Sequence, residues 1–116
     1  MNAPQPYREQ RPWGEFVRFT QGEPSTVKIL TVNPGQALSL QYHLNRDEFW
    51  HIISGSGFAQ IGKERVELAP GSELFVPRRS EHRISAGEEP VVVLEVSFGT
   101  FDETDIVRVE DVYGRA

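Results

Sequence analysis

The sequence predicts an all-β fold, a sandwich or small barrel in one domain, on three observations. Ten glycines and eight prolines cut the 116 residues into short segments. Those segments are rich in Val, Ile, Phe and Thr and have strand length. No run of ten or more residues carries a helical period. Many short strands at this spacing pack as two facing sheets or close into a barrel.

In chain order, residues 1–10 are polar and Pro-rich and read as an extended or mobile segment, ahead of a domain at 11–116. Strands are expected at 15–20, 26–32, 37–43, 48–53, 57–61, 64–68, 73–76, 82–85 and 91–98. Turn residues divide them: Gly22-Glu23, Asn33-Pro34-Gly35, Gly55-Ser56-Gly57, Gly62-Lys63, Pro70-Gly71 and Gly87-Glu88. In the third strand Gln41 and His43 are two apart and share a face. Asn45-Arg46-Asp47 is expected to turn the chain so that Glu48 returns to the same spot. His82 opens a later strand, after a loop at 77–81. Residues 101–116 are acidic at first, end in Tyr113-Gly114-Arg115-Ala116, and carry none of the predicted strands.

Composition excludes several classes. The net charge of −5 argues against a nucleic-acid partner, which selects for a basic field. No cysteine is present, so there are neither disulfides nor thiolate metal sites. Residues 1–7 lack the apolar run of a signal peptide, and no stretch reaches membrane-spanning length. A cytoplasmic protein with no membrane partner is expected.

Gln41, His43, Glu48 and His82 together offer an amide oxygen, two imidazoles and a carboxylate. A mixed nitrogen and oxygen set of this kind suits one divalent ion per chain, with zinc placed first and manganese, iron, cobalt or nickel as alternatives. Lys28 interrupts an apolar run, Val27 to Val32, and Glu95 interrupts Val91 to Val96. Each is either an outward charge or an inward functional group; a buried Glu95 would have a raised pKa, fit for proton transfer. Arg78, Arg79 and Arg83 surround His82 and read either as an anion-binding loop or as a solvated loop paired with Glu81. Trp13 and Trp50 read as core or interface residues.

The spacing Gly35-x5-Gln41-x-His43-x4-Glu48-x6-Gly55, then Gly71-x5-Pro77-x4-His82, resembles the cupin double motif. Arg79 stands where that motif has a glycine, and Ala86 where it closes on asparagine. Further segments resemble the type II phosphomannose isomerases, also found as the C-terminal cupin module of bifunctional mannose-1-phosphate guanylyltransferases. These are Arg11-Pro-Trp-Gly14, Val32-Asn-Pro-Gly35, Leu38-Ser-Leu-Gln41, Asp105-Ile-Val-Arg108 and Tyr113-Gly-Arg115. The family carries histidines where this chain has Leu44, Asn45 and Phe49, which suggests a thinned polar pocket wall.

The resemblance implies a cupin double-stranded β-helix, or jelly roll. It implies a metal-dependent isomerase interconverting mannose 6-phosphate and fructose 6-phosphate. Gln41, His43, Glu48 and His82 would hold the metal. Glu95, Lys28 and Arg115 would serve catalysis, and Lys28, Arg78, Arg79 and Arg115 would bind the phosphosugar. The alternatives are a non-catalytic sugar-binding or regulatory cupin, and another metal-dependent cupin enzyme such as a dioxygenase. A homodimer is expected, with the Tyr7 to Trp13 segment pairing with or packing on a second copy.

Overall fold

A computed structural model describes residues 5–111 together with Tyr113 and Gly114. Among the described residues eleven strands form in order: β1 (Tyr7–Arg11), β2 (Gly14–Arg18), β3 (Ser25–Val32), β4 (Leu40–Tyr42), β5 (Arg46–Ser54), β6 (Gly57–Ile61), β7 (Glu64–Leu68), β8 (Glu73–Val76), β9 (His82–Ala86), β10 (Val91–Gly99) and β11 (Val107–Glu110). They build a β1–β2 hairpin, a four-stranded sheet ordered β3-β10-β5-β8, and a five-stranded sheet ordered β11-β4-β9-β6-β7. The two larger sheets close on one core. Val32, Ile52, Leu74, Val76, Val91 and Val93 come from one sheet, and Ala59, Leu68 and Ile84 from the other. No helix among the described residues is long and apolar enough to cross a membrane, which says nothing of a β-barrel.

The period of two decides what each strand presents inside. In β10, Val91, Val93, Glu95 and Ser97 are buried and alternate with the partly exposed Val92 and Leu94. In β5, Glu48, Trp50 and Ile52 face inward, while Phe49 faces outward onto Phe19, ring centroids 6.0 Å apart. One end of the interior is therefore aliphatic, and the other gathers Glu48, Glu95, Ser97 and Lys28. That division places the site.

Four differences from the expected elements have physical causes. Tyr7–Arg11 is a strand, and it pairs with β2 of its own chain over five residue pairs. The Asn45-Arg46-Asp47 turn is displaced: Arg46 and Asp47 belong to β5 and are buried. The bend lies at Leu44 and Asn45, whose N–H groups donate to the Asp105 carboxylate at 2.9 and 3.0 Å. The strand expected at 37–43 shortens to Leu40–Tyr42, with an isolated bridge from Ala37 to Ser85. Finally, Val107–Glu110 pairs with β4, although its exposed Val107 and Val109 give no buried alternation to read.

Two backbone positions hold the site's frame. Gly55 has φ +90°, and a Cβ there would lie 1.9 Å from the Pro90 carbonyl oxygen. Arg79 has φ 69°, the left-handed region that favours glycine. It adopts this conformation at the position where the cupin motif carries glycine, and its N–H donates to the His43 carbonyl at 2.7 Å.

Candidate metal centre

Lys28, Leu30, Leu38, Ser39, Gln41, His43, Arg46, Glu48, Trp50, His82, Glu95, Glu103, Ile106 and Arg108 line a cavity of about 320 Å³ between the two sheets. At its floor, ligand atoms of His43, Glu48 and His82 all lie within 4.8 Å of one another. His43 Nε2 is 3.3 Å from Glu48 Oε2, and His82 Nε2 is 3.7 Å from Glu48 Oε1. This group could hold a metal.

The imidazoles are set in the form a metal requires. His43 Nδ1 faces the Asp105 carbonyl at 2.6 Å, and His82 Nδ1 faces the Ser80 carbonyl at 3.0 Å. A carbonyl only accepts, so both Nδ1 atoms carry the proton and both Nε2 lone pairs point into the cavity. Burial lowers the pKa of His43, and it lowers that of His82 to about 4, so both rings are neutral at pH 7. His82 Nε2 is buried and has no hydrogen-bond partner among the described residues. An orphaned, aimed lone pair beside a carboxylate fits a cation. Arg46 is the competitor: its Nη2 donates to His43 Nε2 and its Nε to Glu48 Oε2, each at 3.2 Å. Gln41 lies beside His82 in register, and its Oε1 accepts from Ser39 Oγ at 3.0 Å, leaving a second lone pair.

Two carboxyls share the floor. Burial raises the pKa of Glu48, with Arg46 and the Trp50 indole N–H opposing it. Burial, followed by the charge of Glu48, raises that of Glu95 to about 7, against the pull of Lys28 and Arg46. Lys28 is the direct cross-strand neighbour of Glu95, and both point inward.

The structure thus brings Lys28, Gln41, His43, Glu48, His82 and Glu95 together. It does not bring Arg78 and Arg79 to the cavity. Arg78 turns to Asp47, its Nη2 3.2 Å from Oδ2, and Arg79 is exposed. Arg115 lies outside the described residues. The third histidine, His51, is on the outer face with Glu73, 2.8 Å away. Leu44, Asn45 and Phe49 do not line the cavity, so the suggested thinning of the pocket wall does not follow: Phe49 points to the other side of the sheet. Sequence reasoning missed Arg46, Glu103 and Arg108. Only Arg108 had a signal, its place in Asp105-Ile-Val-Arg108.

A family model described as mannose-6-phosphate isomerase C-terminal matches residues 3–111. The chain belongs to this family. The Xanthan biosynthesis protein XanB of Xanthomonas campestris is 39% identical over 107 residues, covering 90% of this chain and 23% of XanB. Mannose-1-phosphate guanylyltransferase ManC of Salmonella typhimurium is 36% identical, covering 90% of this chain and 22% of ManC. The chain therefore spans less than a quarter of the length of these relatives. Among solved structures, a cupin protein from Bacteroides fragilis superposes with a TM-score of 0.61 at 26% identity, covering 70% of this chain and 75% of that one. The fold of this mannose-6-phosphate isomerase C-terminal domain is accordingly a cupin double-stranded β-helix.

Proposed function

We propose that this cupin is a metal-dependent isomerase interconverting mannose 6-phosphate and fructose 6-phosphate. The observation that carries the reading is the floor of the cavity. Two neutral imidazoles aim their Nε2 atoms at Glu48, beside a second buried carboxyl whose pKa is about 7.

His43, Glu48 and His82, with Gln41 alongside, would hold a divalent ion. Such an ion supplies electrostatic stabilisation for the sugar oxygens at C1 and C2. Glu95 takes the C2 proton of the aldose and returns it at C1, while the hydroxyl proton on O2 passes to O1 through the enediol. A carboxyl near neutrality suits both halves of that transfer, because neither protonation state is costly. Lys28, directly across from Glu95, favours its anionic form and faces the incoming substrate. Trp50 closes the floor: it is fully buried, and its Nε1–H donates to Glu48 Oε1 at 3.3 Å, fixing the carboxylate. Arg115 is retained as a phosphate ligand on the family resemblance.

A second reading has one observation in its favour. Arg46 already occupies the His43 lone pair, as it would in a sugar-binding cupin that has lost turnover. A coupled assay for fructose 6-phosphate formed from mannose 6-phosphate separates the two, with Glu95→Gln as control. Turnover in the wild type that the variant lacks supports the enzyme. Binding of the phosphosugar without product supports the binder.

We further propose a cytoplasmic homodimer. Trp13, at the tip of the β1–β2 hairpin, is 73% exposed, and Val27 and Ile29 are exposed on the outer face of edge strand β3. A lone two-stranded hairpin is marginally stable in water and gains from a partner. Light scattering should give about twice 13.2 kDa; a monomer refutes this assembly.

A further inference from the structure

The mouth of the cavity carries charges that the floor chemistry does not use. In the five-stranded sheet Arg108 lies opposite Gln41, and Gln41 opposite His82, so the three form a row across β11, β4 and β9. In the facing sheet Lys28, Glu95 and Trp50 form the matching row across β3, β10 and β5. β3 and β11 are the outermost strands of their sheets. Lys28 and Arg108 therefore stand at the open edges, and both line the cavity. Adjacent strands are about 4.8 Å apart, which sets the backbone of Arg108 about 10 Å from that of His82. A six-carbon sugar phosphate, with its reacting carbons and its phosphorus at opposite ends, is suited to a gap of that order.

Arg108 is under-used where it stands. Its Nε is buried and has no hydrogen-bond partner among the described residues. A buried N–H left in this state has lost the hydrogen bond it makes to water, and an arriving oxygen ligand restores one. Lys28, in contrast, is occupied. Its Nζ lies 2.8 Å from Glu103 Oε1 and 4.6 Å from the centre of the Phe101 ring. Both residues belong to the segment 100–106, which joins β10 to β11 and so connects the two sheets. Phe101 also packs under Arg46, Arg46 Nη1 donates to the Asp102 carbonyl at 3.2 Å, and Ile106 lines the cavity. The segment is thus fixed at several points, while Glu103 itself is exposed. An exposed ion pair of this kind is weak, because water screens it, so Glu103 can be displaced.

We propose that the substrate's phosphoryl group binds between Lys28 and Arg108, and that Glu103 is an internal competitor which must release Lys28 for it to do so. The inference rests on the reading of the cavity as a phosphosugar site. Arg108 offers the planar fork that matches two phosphate oxygens, and Lys28 a compact point charge. Glu103 sets a threshold: a dianionic phosphate displaces it, whereas a neutral sugar gains nothing by doing so. The Lys28–Arg108 pair would discriminate mannose 6-phosphate from mannose, and Glu103 would subtract from that margin while it keeps Lys28 paired in the unliganded protein.

Calorimetry on the full chain tests it, titrating mannose 6-phosphate, glucose 6-phosphate and mannose into wild type, Glu103→Gln, Arg108→Gln and Arg108→Lys. Glu103→Gln should tighten both phosphosugars by up to about fivefold. Arg108→Gln should weaken both by about tenfold or more, with Arg108→Lys in between. Mannose should respond to none of the substitutions. Arg108→Gln should keep or raise the wild-type melting temperature, since its Nε gives up no bond and an unpaired buried N–H is removed. Wild-type phosphosugar affinity in both Glu103→Gln and Arg108→Gln overturns the proposal, as does a wild type that binds no phosphosugar. If wild type turns over mannose 6-phosphate and these variants keep its KM, the clamp falls and the isomerase stands. If both phosphosugars respond as stated and no fructose 6-phosphate forms, the clamp stands and the isomerase falls.

Discussion

Replacing Glu95 by Gln should stabilise the metal-free protein at alkaline pH, and by an amount the site itself sets. Glu95 is 7% exposed, and burial together with the charge of Glu48 lifts its pKa from 4.5 to about 7. The raised value means that the folded state holds this proton more tightly than the unfolded chain does. Its contribution is therefore fully present below pH 4.5 and is lost as pH rises through about 7. At about 1.4 kcal/mol per tenfold change in acidity, the loss comes to about 3 kcal/mol. His82 acts in the opposite sense. Its pKa falls from 6.5 to about 4, so its contribution is full above pH 6.5 and lost as pH falls toward 4. The two nearly offset one another between those limits, and the wild-type profile alone would hide both. The difference between wild type and Glu95→Gln cancels the part of the His82 contribution that does not depend on the Glu95 charge. Gln keeps the shape, can donate to Glu48 as the protonated acid does, and cannot ionise. Lys28, Arg46, Glu48 and His82 face the position and keep their places, while Glu48 and His82 respond to loss of the Glu95 carboxyl. Urea melts in EDTA from pH 4.5 to 9 should show the variant gaining on wild type as pH rises, toward about 3 kcal/mol. For a domain this size that is roughly 10 °C in Tm. A difference that stays flat across this range, or a variant less stable than wild type at pH 9, refutes the buried, proton-holding Glu95.

Other outcomes follow from the frame of the site. Arg79→Gly should raise stability by about 0.5–1 kcal/mol in urea, because relief of the left-handed strain exceeds the entropy glycine adds to the unfolded chain. Phosphosugar affinity should not change with it, since Arg79 does not reach the cavity; a loss of either contradicts its placement. Gly55→Ala should cost about 3 kcal/mol or more, because its Cβ meets the Pro90 carbonyl oxygen at 1.9 Å and its φ is +90°. A thermal melt close to wild type would contradict that turn. Phe49→His should lower stability by about 2 kcal/mol without altering metal content, because Phe49 is buried against Phe19 outside the cavity. A gain in bound metal would show that the ring faces inward.

Most of the floor was legible in the sequence because strand alternation is rigid. Gln41 and His43 share a face by their spacing, and the double motif returns Glu48 and His82 to them. Lys28 and Glu95 lay in nearly continuous apolar runs, where no polar neighbour marks the outer face. Only the pairing of β3 with β10 shows that both turn inward. Arg46 was hidden because its neighbours read as a turn; the Asp105 carboxylate moves the bend back to Leu44 and Asn45 and draws Arg46 into β5. Arg108 was hidden because β11 is four residues long and is held by register with β4 rather than by a buried apolar face. The basic cluster at 78–83 drew attention by charge alone. In the fold Arg78 serves Asp47, and Arg83 serves the Leu38 carbonyl and Glu110.

The central claim is that His43, Glu48 and His82 hold a divalent cation at the cavity floor. Elemental analysis of the purified wild type beside His82→Ala tests it most directly, after exposure of both to zinc, manganese, iron, cobalt and nickel and removal of excess metal. The account predicts about a single ion per chain in the wild type and a stoichiometric loss in the variant, with a higher wild-type Tm when loaded. A wild type that retains none of these metals, or a His82→Ala protein that retains as much as wild type, contradicts it.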